Sequence, residues 1–577
     1  MATNEKMQLA AAADEAVALL SVKNLSISFR QEGVSFQAVK NISFNLAPGR
    51  FTAIVGESGS GKSVTALSML QLLPSQAAVT GSLLFNRPGG NLLDITQAGK
   101  EAIQQVRGNE IAMIFQEPMT SLNPVLTCGN QVMESLILHK KISRRQAKAA
   151  TIVLFEQVEL PAPDQMLNRY PHQLSGGQKQ RVMIAMAMSC NPALLVADEP
   201  TTALDVRVQK NILDLLKKLQ QQQQMAILFI THDLGLVAAY AENVLVMRQG
   251  EIVEQGLTAQ VLANPKHAYT KALLACRPTK NSKGKKLPVV SDFLDENPTL
   301  VATPATTNNT NFSTPDQSPI LRVENLKVYF PGTKNFFGKT VSHFKAVDDV
   351  SFSINRNEIV GLVGESGCGK TTLGRTILQL IAPTSGRILL HGKEIQLQSR
   401  QALRKIRKDL QIVFQDPYGS LNPRISIGDA ILEPMRVHGM HENKKQRKEK
   451  VHQLLEQVNM LPDHFNRYPH QFSGGQRQRI CIARALALEP SFIIFDESVS
   501  ALDVSVQAQV LNLIQDLKNS FQFTSIFISH DLSVVHYISD RVMVMHKGKI
   551  VETGSADQVM FKPREDYTKM LIEAIPG

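Results

Sequence analysis

A lysine and a hydroxyl residue close a glycine-rich run at two places in this chain, a grouping suited to phosphate chemistry. Gly56-Glu57-Ser58-Gly59-Ser60-Gly61-Lys62-Ser63 recurs as Gly364-Glu365-Ser366-Gly367-Cys368-Gly369-Lys370-Thr371. Glycines let backbone N–H groups turn inward around the β- and γ-phosphates of a nucleotide. The helix that follows adds its N-terminal dipole, and the lysine ammonium neutralises phosphate charge. The Ser63 and Thr371 hydroxyls are the expected Mg²⁺ ligands of such a loop. One copy alone could be a chance glycine turn, but two copies followed by the same ordered motifs could not.

Each loop is followed by an acidic pair at the end of an apolar run, Asp198-Glu199 and Asp496-Glu497. Such a pair can be a solvated strand end. The functional reading gives the aspartate to Mg²⁺, usually through water, and the glutamate to polarising an attacking water. Gln116 and Gln415 could be plain surface amides, and His232 and His530 could be strand-end histidines bonded to backbone. Both histidines stand 33 residues after their glutamates, and this repetition favours function.

The motifs expose an internal repeat. FQEPMTSLNP at Phe115–Pro124 recurs at Phe414–Pro423, offset 299, and RYPHQLSGGQKQR at Arg169–Arg181 recurs as RYPHQFSGGQRQR at Arg467–Arg479, offset 298. The glycine loops are offset by 308, so the first copy carries nine extra residues before its second motif, around Pro88–Lys100. A period near 300 is domain duplication, not a solenoid.

The elements that position these residues follow from apolar patterning. Ala53-Ile-Val-Gly and Val360-Gly-Leu-Val-Gly read as buried strands feeding a glycine loop and then a helix. Ala193–Ala197, Phe492–Phe495, Ala226–Ile230 and Ser525–Ile528 read as further buried strands with polar residues at their carboxyl ends. Strands alternating with helices predict a mostly parallel α/β core with ligands at the strand ends. The charged, amphipathic stretches Lys140–Leu160 and Glu442–Met460 predict a helical subdomain. Between the copies, Pro278 to Pro319 is rich in Lys, Pro, Thr and Asn without periodicity. It is expected to be a flexible tether with a reach of roughly 35–40 Å. The expected organisation is a tail at 1–19, a first domain at 20–277, a linker at 278–319 and a second domain at 320–577.

Length and composition agree with two soluble domains: 577 residues, 43% hydrophobic and 20% charged. No apolar stretch approaches the ~18–20 residues of a membrane span. The apolar N-terminal AAAADEAVALL is interrupted by Asp14 and Glu15 and lacks a basic lead-in, so it is not read as a signal peptide. A cytosolic chain is expected, reaching a membrane only through partners. The five cysteines, Cys128, Cys190, Cys276, Cys368 and Cys481, show no zinc or disulfide spacing. The net charge of +11 gathers at Lys140–Lys148, Lys280–Lys286 and Lys444–Lys450 without interleaved aromatics, as in solvated helix faces and a basic linker.

Taken together, the glycine loop, Gln116, LSGGQ at Leu174–Gln178, the Asp-Glu pair, ALD and the histidine resemble ATP-binding cassette (ABC) proteins over nearly the whole chain, in two copies. The resemblance implies two tandem P-loop ABC nucleotide-binding domains of α/β class. Each would have a parallel-sheet core, an antiparallel β subdomain and a helical signature subdomain. It implies that Gln116 and Gln415 link the γ-phosphate and Mg²⁺ to the membrane partner, that His232 and His530 contact the γ-phosphate, and that Phe29 and Phe330 stack on adenine. Ordinary core packing is the competing reading of those two phenylalanines. Asp205 and Asp503 would belong to the loop coupling the two sites. Ser175, Gly176, Gly177 and Gln178, with Ser473, Gly474, Gly475 and Gln476, would close over the γ-phosphate held by the opposite half.

RYPHQLSGG, QEPMTSLNP and the tails HAYTKALLACRP and EDYTKMLIEAIP narrow the resemblance to ATPases of oligopeptide, dipeptide and nickel importers, especially fused glutathione and microcin-type peptide importers. The halves differ as two subunits of that family do: Met186 stands where the second copy has Arg484. Phe472 replaces the signature leucine, and Ser498 replaces Pro200. The resemblance implies ATP and Mg²⁺ as cofactors, and two permeases with an extracytoplasmic solute-binding protein as partners. The implied place is peripheral, at the cytoplasmic face of the inner membrane. The implied function is ATP-driven import of peptides or glutathione, with nickel or another small solute as the alternative. Only Cys276 lies where some relatives cluster cysteines, so no iron–sulfur cluster is expected. A ribosome- or nucleic-acid-bound twin cassette is the rival from another class. Such proteins join their cassettes by a long charged helical hairpin, which a Pro/Thr/Asn-rich linker disfavours.

Overall fold

A computed structural model describes residues 18–31, 34–116, 121–201, 204–279, 281–294, 319–332, 342–500 and 502–575. The N-terminal tail, except its last two residues, and linker residues 295–318 lie outside the described residues. The chain forms two compact units whose division falls at Leu274/Ala275.

In the first unit a six-stranded sheet runs in the order Glu251–Leu257, Asn243–Arg248, Phe51–Val55, Ala226–Thr231, Leu194–Asp198, Ile111–Ile114. All its pairings are parallel except that of Glu251–Leu257. Every residue of Phe51–Val55, Leu194–Asp198 and Ala226–Thr231 is buried. Strands covered on both faces are mostly apolar, and this is why they read as near-continuous hydrophobic runs rather than alternating ones. The second unit repeats the layout in the order Leu410–Val413, Phe492–Asp496, Thr524–Ile528, Ile359–Val363, Arg541–His546, Lys549–Ser555.

A four-stranded antiparallel sheet accompanies each parallel one: Val34–Leu46, Leu20–Gln31, Ala77–Asn86 and Leu92–Asp94 in the first unit, and His343–Asn355, Pro319–Pro331, Ser385–Leu390 and Lys393–Glu394 in the second. One core joins the two sheets of the first unit. Leu20, Val22 and Phe85 from the antiparallel sheet meet Ile54, Val196 and Leu228 from the parallel one, with Ala66 of the loop-following helix and Met69 at its C-cap among them. That helix, Lys62–Ser68, is thereby fixed by packing on either side.

Helices form in both stretches where the charge patterning predicts a helical subdomain. The stretch from Lys140 to Leu160 is not one helix. Cys128–Lys140 ends where Lys141 turns left-handed at φ 53°, and a new helix, Arg144–Gln157, starts behind a Ser143 cap. Ser143 Oγ accepts from the Gln146 N–H, and Gln146 Oε1 accepts from the Ser143 N–H, satisfying two otherwise orphaned donors. In the second unit Asn443 caps Lys444–Gln457 in the same position.

Part of the expected tether is anchored. Leu287 is buried, its N–H donates to Asn512 Oδ1 at 3.0 Å, and its carbonyl accepts from Asn512 Nδ2 at 2.8 Å. The Tyr537 hydroxyl donates to the Lys285 carbonyl, Lys286 pairs with Asp516 at 3.0 Å, and Lys283 lies 3.6 Å from Asp557. An asparagine side chain presents the same donor and acceptor as a peptide group, so it can hold an extended strand as a neighbouring strand would. Lys283 and Lys286 of the basic cluster thus face acidic side chains of the second unit, Lys286 while remaining exposed.

Candidate functional site

The glycine loop leaves the buried strand Phe51–Val55 through Gly56, whose φ is 156° and whose notional Cβ would sit 2.1 Å from the Met247 carbonyl oxygen. The matching Cβ at Gly364 would lie 2.2 Å from the Met545 carbonyl, so glycine is obligatory at both exits. Lys62 is 5% exposed, and its Nζ donates to the Gly56 and Glu57 carbonyls, both at 2.8 Å. Lys370 does the same with Gly364 and Glu365, at 2.7 and 2.9 Å. The ammonium groups are thus held inside the loops by backbone dipoles. Gly59, Gly61, Gly367 and Gly369 all take positive φ in these loops.

The loop hydroxyl meets the strand-end aspartate. Ser63 Oγ donates to Asp198 Oδ1 at 3.1 Å, and Thr371 Oγ1 donates to Asp496 Oδ1 at 3.0 Å. Burial pushes the Asp198 carboxyl up to about 6 and raises Asp496 in the same direction. An oxygen-only set of one hydroxyl and one desolvated carboxylate suits a hard divalent cation that takes its remaining ligands from phosphate and water. Among the described residues no group of three or more His, Cys, Asp or Glu could hold a metal by itself.

Glu199 and Glu497 follow in left-handed backbone conformations, φ 45° and 47°. Such a conformation costs a non-glycine residue about 1–3 kcal/mol and persists only where its surroundings over-determine it. Here the Glu199 N–H donates to the Ile230 carbonyl, and the Glu497 N–H to Ile528, both at 3.0 Å. Each carboxylate is met from two elements. Gln116 Nε2 donates to Glu199 Oε2 at 3.2 Å while His232 Nδ1 lies 3.3 Å from Oε1. Gln415 Nε2 donates to Glu497 Oε2 at 2.9 Å, and His530 Nδ1 is 3.7 Å from that oxygen. Burial pushes the Glu497 carboxyl up, but the His530 imidazole and the Lys370 charge outweigh it and hold the group below its ordinary range.

The signature residues cap helices. Ser175 Oγ accepts from the Gln178 N–H and Gln178 Oε1 from the Ser175 N–H, opening helix Gly176–Met188; Ser473 and Gln476 do the same for Gly474–Leu486. Gly177 and Gly475 also have a packing reason, since a Cβ there would approach Val208 Cγ1 to 2.9 Å and Val506 Cγ1 to 2.1 Å. Gly176 and Gly474 fill the first helical positions. Asp205 and Asp503 immediately precede the long helices Val206–Gln223 and Val504–Phe521.

Phe29 and Phe330 lie on the antiparallel sheets. Phe29 is partly buried against the first unit's core, and Phe330 is 38% exposed. Each is paired across its sheet with a more exposed aromatic, Phe36 at 63% and Phe344 at 59%, which sequence reasoning did not single out. It also passed over Tyr269 and Tyr567, whose hydroxyls accept from the Glu57 and Glu365 N–H groups at 3.0 and 3.1 Å. The repeated Tyr-Thr-Lys of the two tails was the available signal.

Comparison with known proteins matches the geometry. A family model described as "ABC transporter" fits residues 39–202 and 347–500, and one described as "Oligopeptide/dipeptide transporter, C-terminal region" fits 253–296 and 551–577. The chain is 47% identical over 562 residues to the glutathione import ATP-binding protein of Pectobacterium atrosepticum, covering 97% of this chain and 89% of that protein. It is 48% identical over 565 residues to the Escherichia coli K12 protein of the same name, with the same coverage. Among solved structures, cbiO1 of Clostridium perfringens, part of an ABC transporter complex, matches 43% of this chain and 92% of its own at 28% identity. Its TM-score is 0.37, too low for a geometric inference. With a match in each half and these identities along nearly its whole length, the chain belongs to the ABC transporter ATP-binding proteins of the oligopeptide/dipeptide type, as a two-cassette ATPase.

Proposed function

We propose that this ATPase energises import of a peptide or peptide-like solute, glutathione being the first candidate, across the cytoplasmic membrane. The observation that carries the solute class is the naming of relatives at 47–48% identity as glutathione import ATP-binding proteins. No helix among the described residues is long and apolar enough to cross a membrane. As the import relatives imply, the proposal includes two permease subunits and an extracytoplasmic binding protein, with this chain peripheral at the cytoplasmic face.

In the proposed reaction Lys62 and Lys370, with their loop amides, hold the β- and γ-phosphates. Mg²⁺, when bound, neutralises phosphate charge; Ser63 with Asp198, and Thr371 with Asp496, are its proposed ligands, joined by Gln116 and Gln415. Glu199 and Glu497 orient the attacking water through the carboxylate oxygens that His232, Gln116 and their counterparts hold in place. The histidines then face the γ-phosphate, and the signature helices offer further N-terminal dipoles to it. Phe29 and Phe330 are proposed to stack on adenine, with Phe36 and Phe344 as neighbouring aromatic surfaces.

Uptake of labelled glutathione and of a dipeptide by cells lacking this chain, restored by the wild type and not by Glu199→Gln/Glu497→Gln, tests the reading. Restored uptake of a nickel salt, with neither organic solute transported, would replace the solute class.

A further inference from the structure

The C-terminal regions that distinguish this branch of the family reach back to the nucleotide loops. The Glu57 N–H donates to the Tyr269 hydroxyl at 3.0 Å, and the Glu365 N–H to the Tyr567 hydroxyl at 3.1 Å. The Gly56 carbonyl and the Glu57 N–H belong to one peptide plane, and that carbonyl accepts from Lys62 Nζ. The Gly364–Glu365 plane stands in the same relation to Lys370 and Tyr567. We propose that Tyr269 and Tyr567 are positioning residues for ATP binding: each hydroxyl fixes the peptide plane on which the phosphate-binding lysine rests.

Further contacts make the tyrosines rigid supports. Tyr269 is fully buried, with Arg248 over its ring at 5.4 Å from the centroid, and His546 packs on the Tyr567 ring at 3.9 Å between centroids. The start of each tail helix is held by a carboxylate: Glu254 accepts from the Lys266 and His267 N–H groups, and Glu552 from those of Arg564 and Glu565. Burial also pushes the Tyr567 phenol up, so it stays neutral and able to accept. All three pairs, Tyr269/Tyr567, Arg248/His546 and Glu254/Glu552, keep the offset of 298 residues that relates the signature motifs. Two differently sequenced halves thus build one support. A glycine at the loop exit, free to rotate, is where a peptide plane most needs an external hold.

This inference rests on the ATPase reading. In the stalled Glu199→Gln/Glu497→Gln background, ATP and ADP affinities are measured for Tyr269→Phe, Tyr567→Phe and the pair, beside Lys62→Ala/Lys370→Ala. Phenylalanine keeps the ring and removes only the hydroxyl, so each single change is expected to weaken one of the two nucleotide sites about three- to tenfold. The pair should weaken both. In the otherwise wild-type protein, KM for ATP should rise by a similar factor with kcat within about twofold. Tyr240→Phe, which removes a hydroxyl bonded to Asp214 instead, should leave affinity unchanged. Unaltered affinity and KM in the tyrosine pair, or a lowered melting temperature with unaltered KM, would overturn the positioning role. If the lysine pair also binds ATP normally, the failure lies in the ATPase reading itself.

Discussion

His232 Nδ1 lies 3.3 Å from Glu199 Oε1, whereas its counterpart His530 Nδ1 lies 3.7 Å from Glu497 Oε2. Both glutamates are held by an imidazole and an amide from separate elements, so their roles can be separated from nucleotide binding. Glu199→Gln/Glu497→Gln is expected to bind ATP normally and to lose hydrolysis by about 10²–10⁴-fold, the usual contribution of a positioned acid or base. Phosphate release and equilibrium ATP binding on the same preparation check this. Undiminished turnover would sink the assignment.

Lys62→Ala and Lys370→Ala remove a charge-assisted contact worth about 1.5–3 kcal/mol each, which corresponds to roughly 10–150-fold weaker ATP binding at the altered site. Titration with a fluorescent nucleotide should resolve one weakened site of two in each single variant.

Chelating divalent ions should abolish ATP hydrolysis. Ser63→Ala and Thr371→Ala should raise the Mg²⁺ concentration needed for half-maximal turnover severalfold, because each hydroxyl stands beside the strand-end carboxylate. A Mg²⁺ titration unchanged in both variants would exclude these hydroxyls as ligands.

Asn512 exchanges two hydrogen bonds with the Leu287 backbone, so Asn512→Ala should free the segment around it. At about 0.5–1.5 kcal/mol per bond, tryptic cleavage after Lys285 and Lys286 should become about 5- to 150-fold faster. Tyr537→Phe should produce a smaller increase. Unchanged cleavage rates would mean that other contacts hold the segment.

Glu254 and Glu552 supply a pH signature. Burial raises their carboxyls, yet the backbone N–H groups that donate to them prevail and leave both below the ordinary carboxylate range. A folded-state value below the unfolded one adds stability above the unfolded value, and that stability is lost as pH falls through the folded one. Urea stability of the wild type should therefore decline below about pH 4.5, near the unfolded value. Glu254→Gln/Glu552→Gln should be less stable at neutral pH and decline less on acidification.

The proposed nucleotide site was legible in the residues alone because its parts are local. A phosphate loop is made by consecutive backbone amides, a capping box by residues three apart, and a buried parallel strand by an unbroken apolar run. Lys62, Ser63, Asp198, Glu199 and Ser175 could each be named from a window of a few residues, and duplication made each window credible. Tertiary structure alone decided which distant groups meet. Gln116 reaches Glu199 across 83 residues, Tyr269 reaches Glu57 across 212, and Asn512 reaches Leu287 across 225. No periodicity encodes such pairs. A tyrosine that supports a loop has the same sequence pattern as one that only fills a core, and a Lys/Pro-rich segment has the same composition whether or not an asparagine holds it. The difference lies in where packing of the sheets and helices brings a hydroxyl or an amide, and packing is a property of the whole fold.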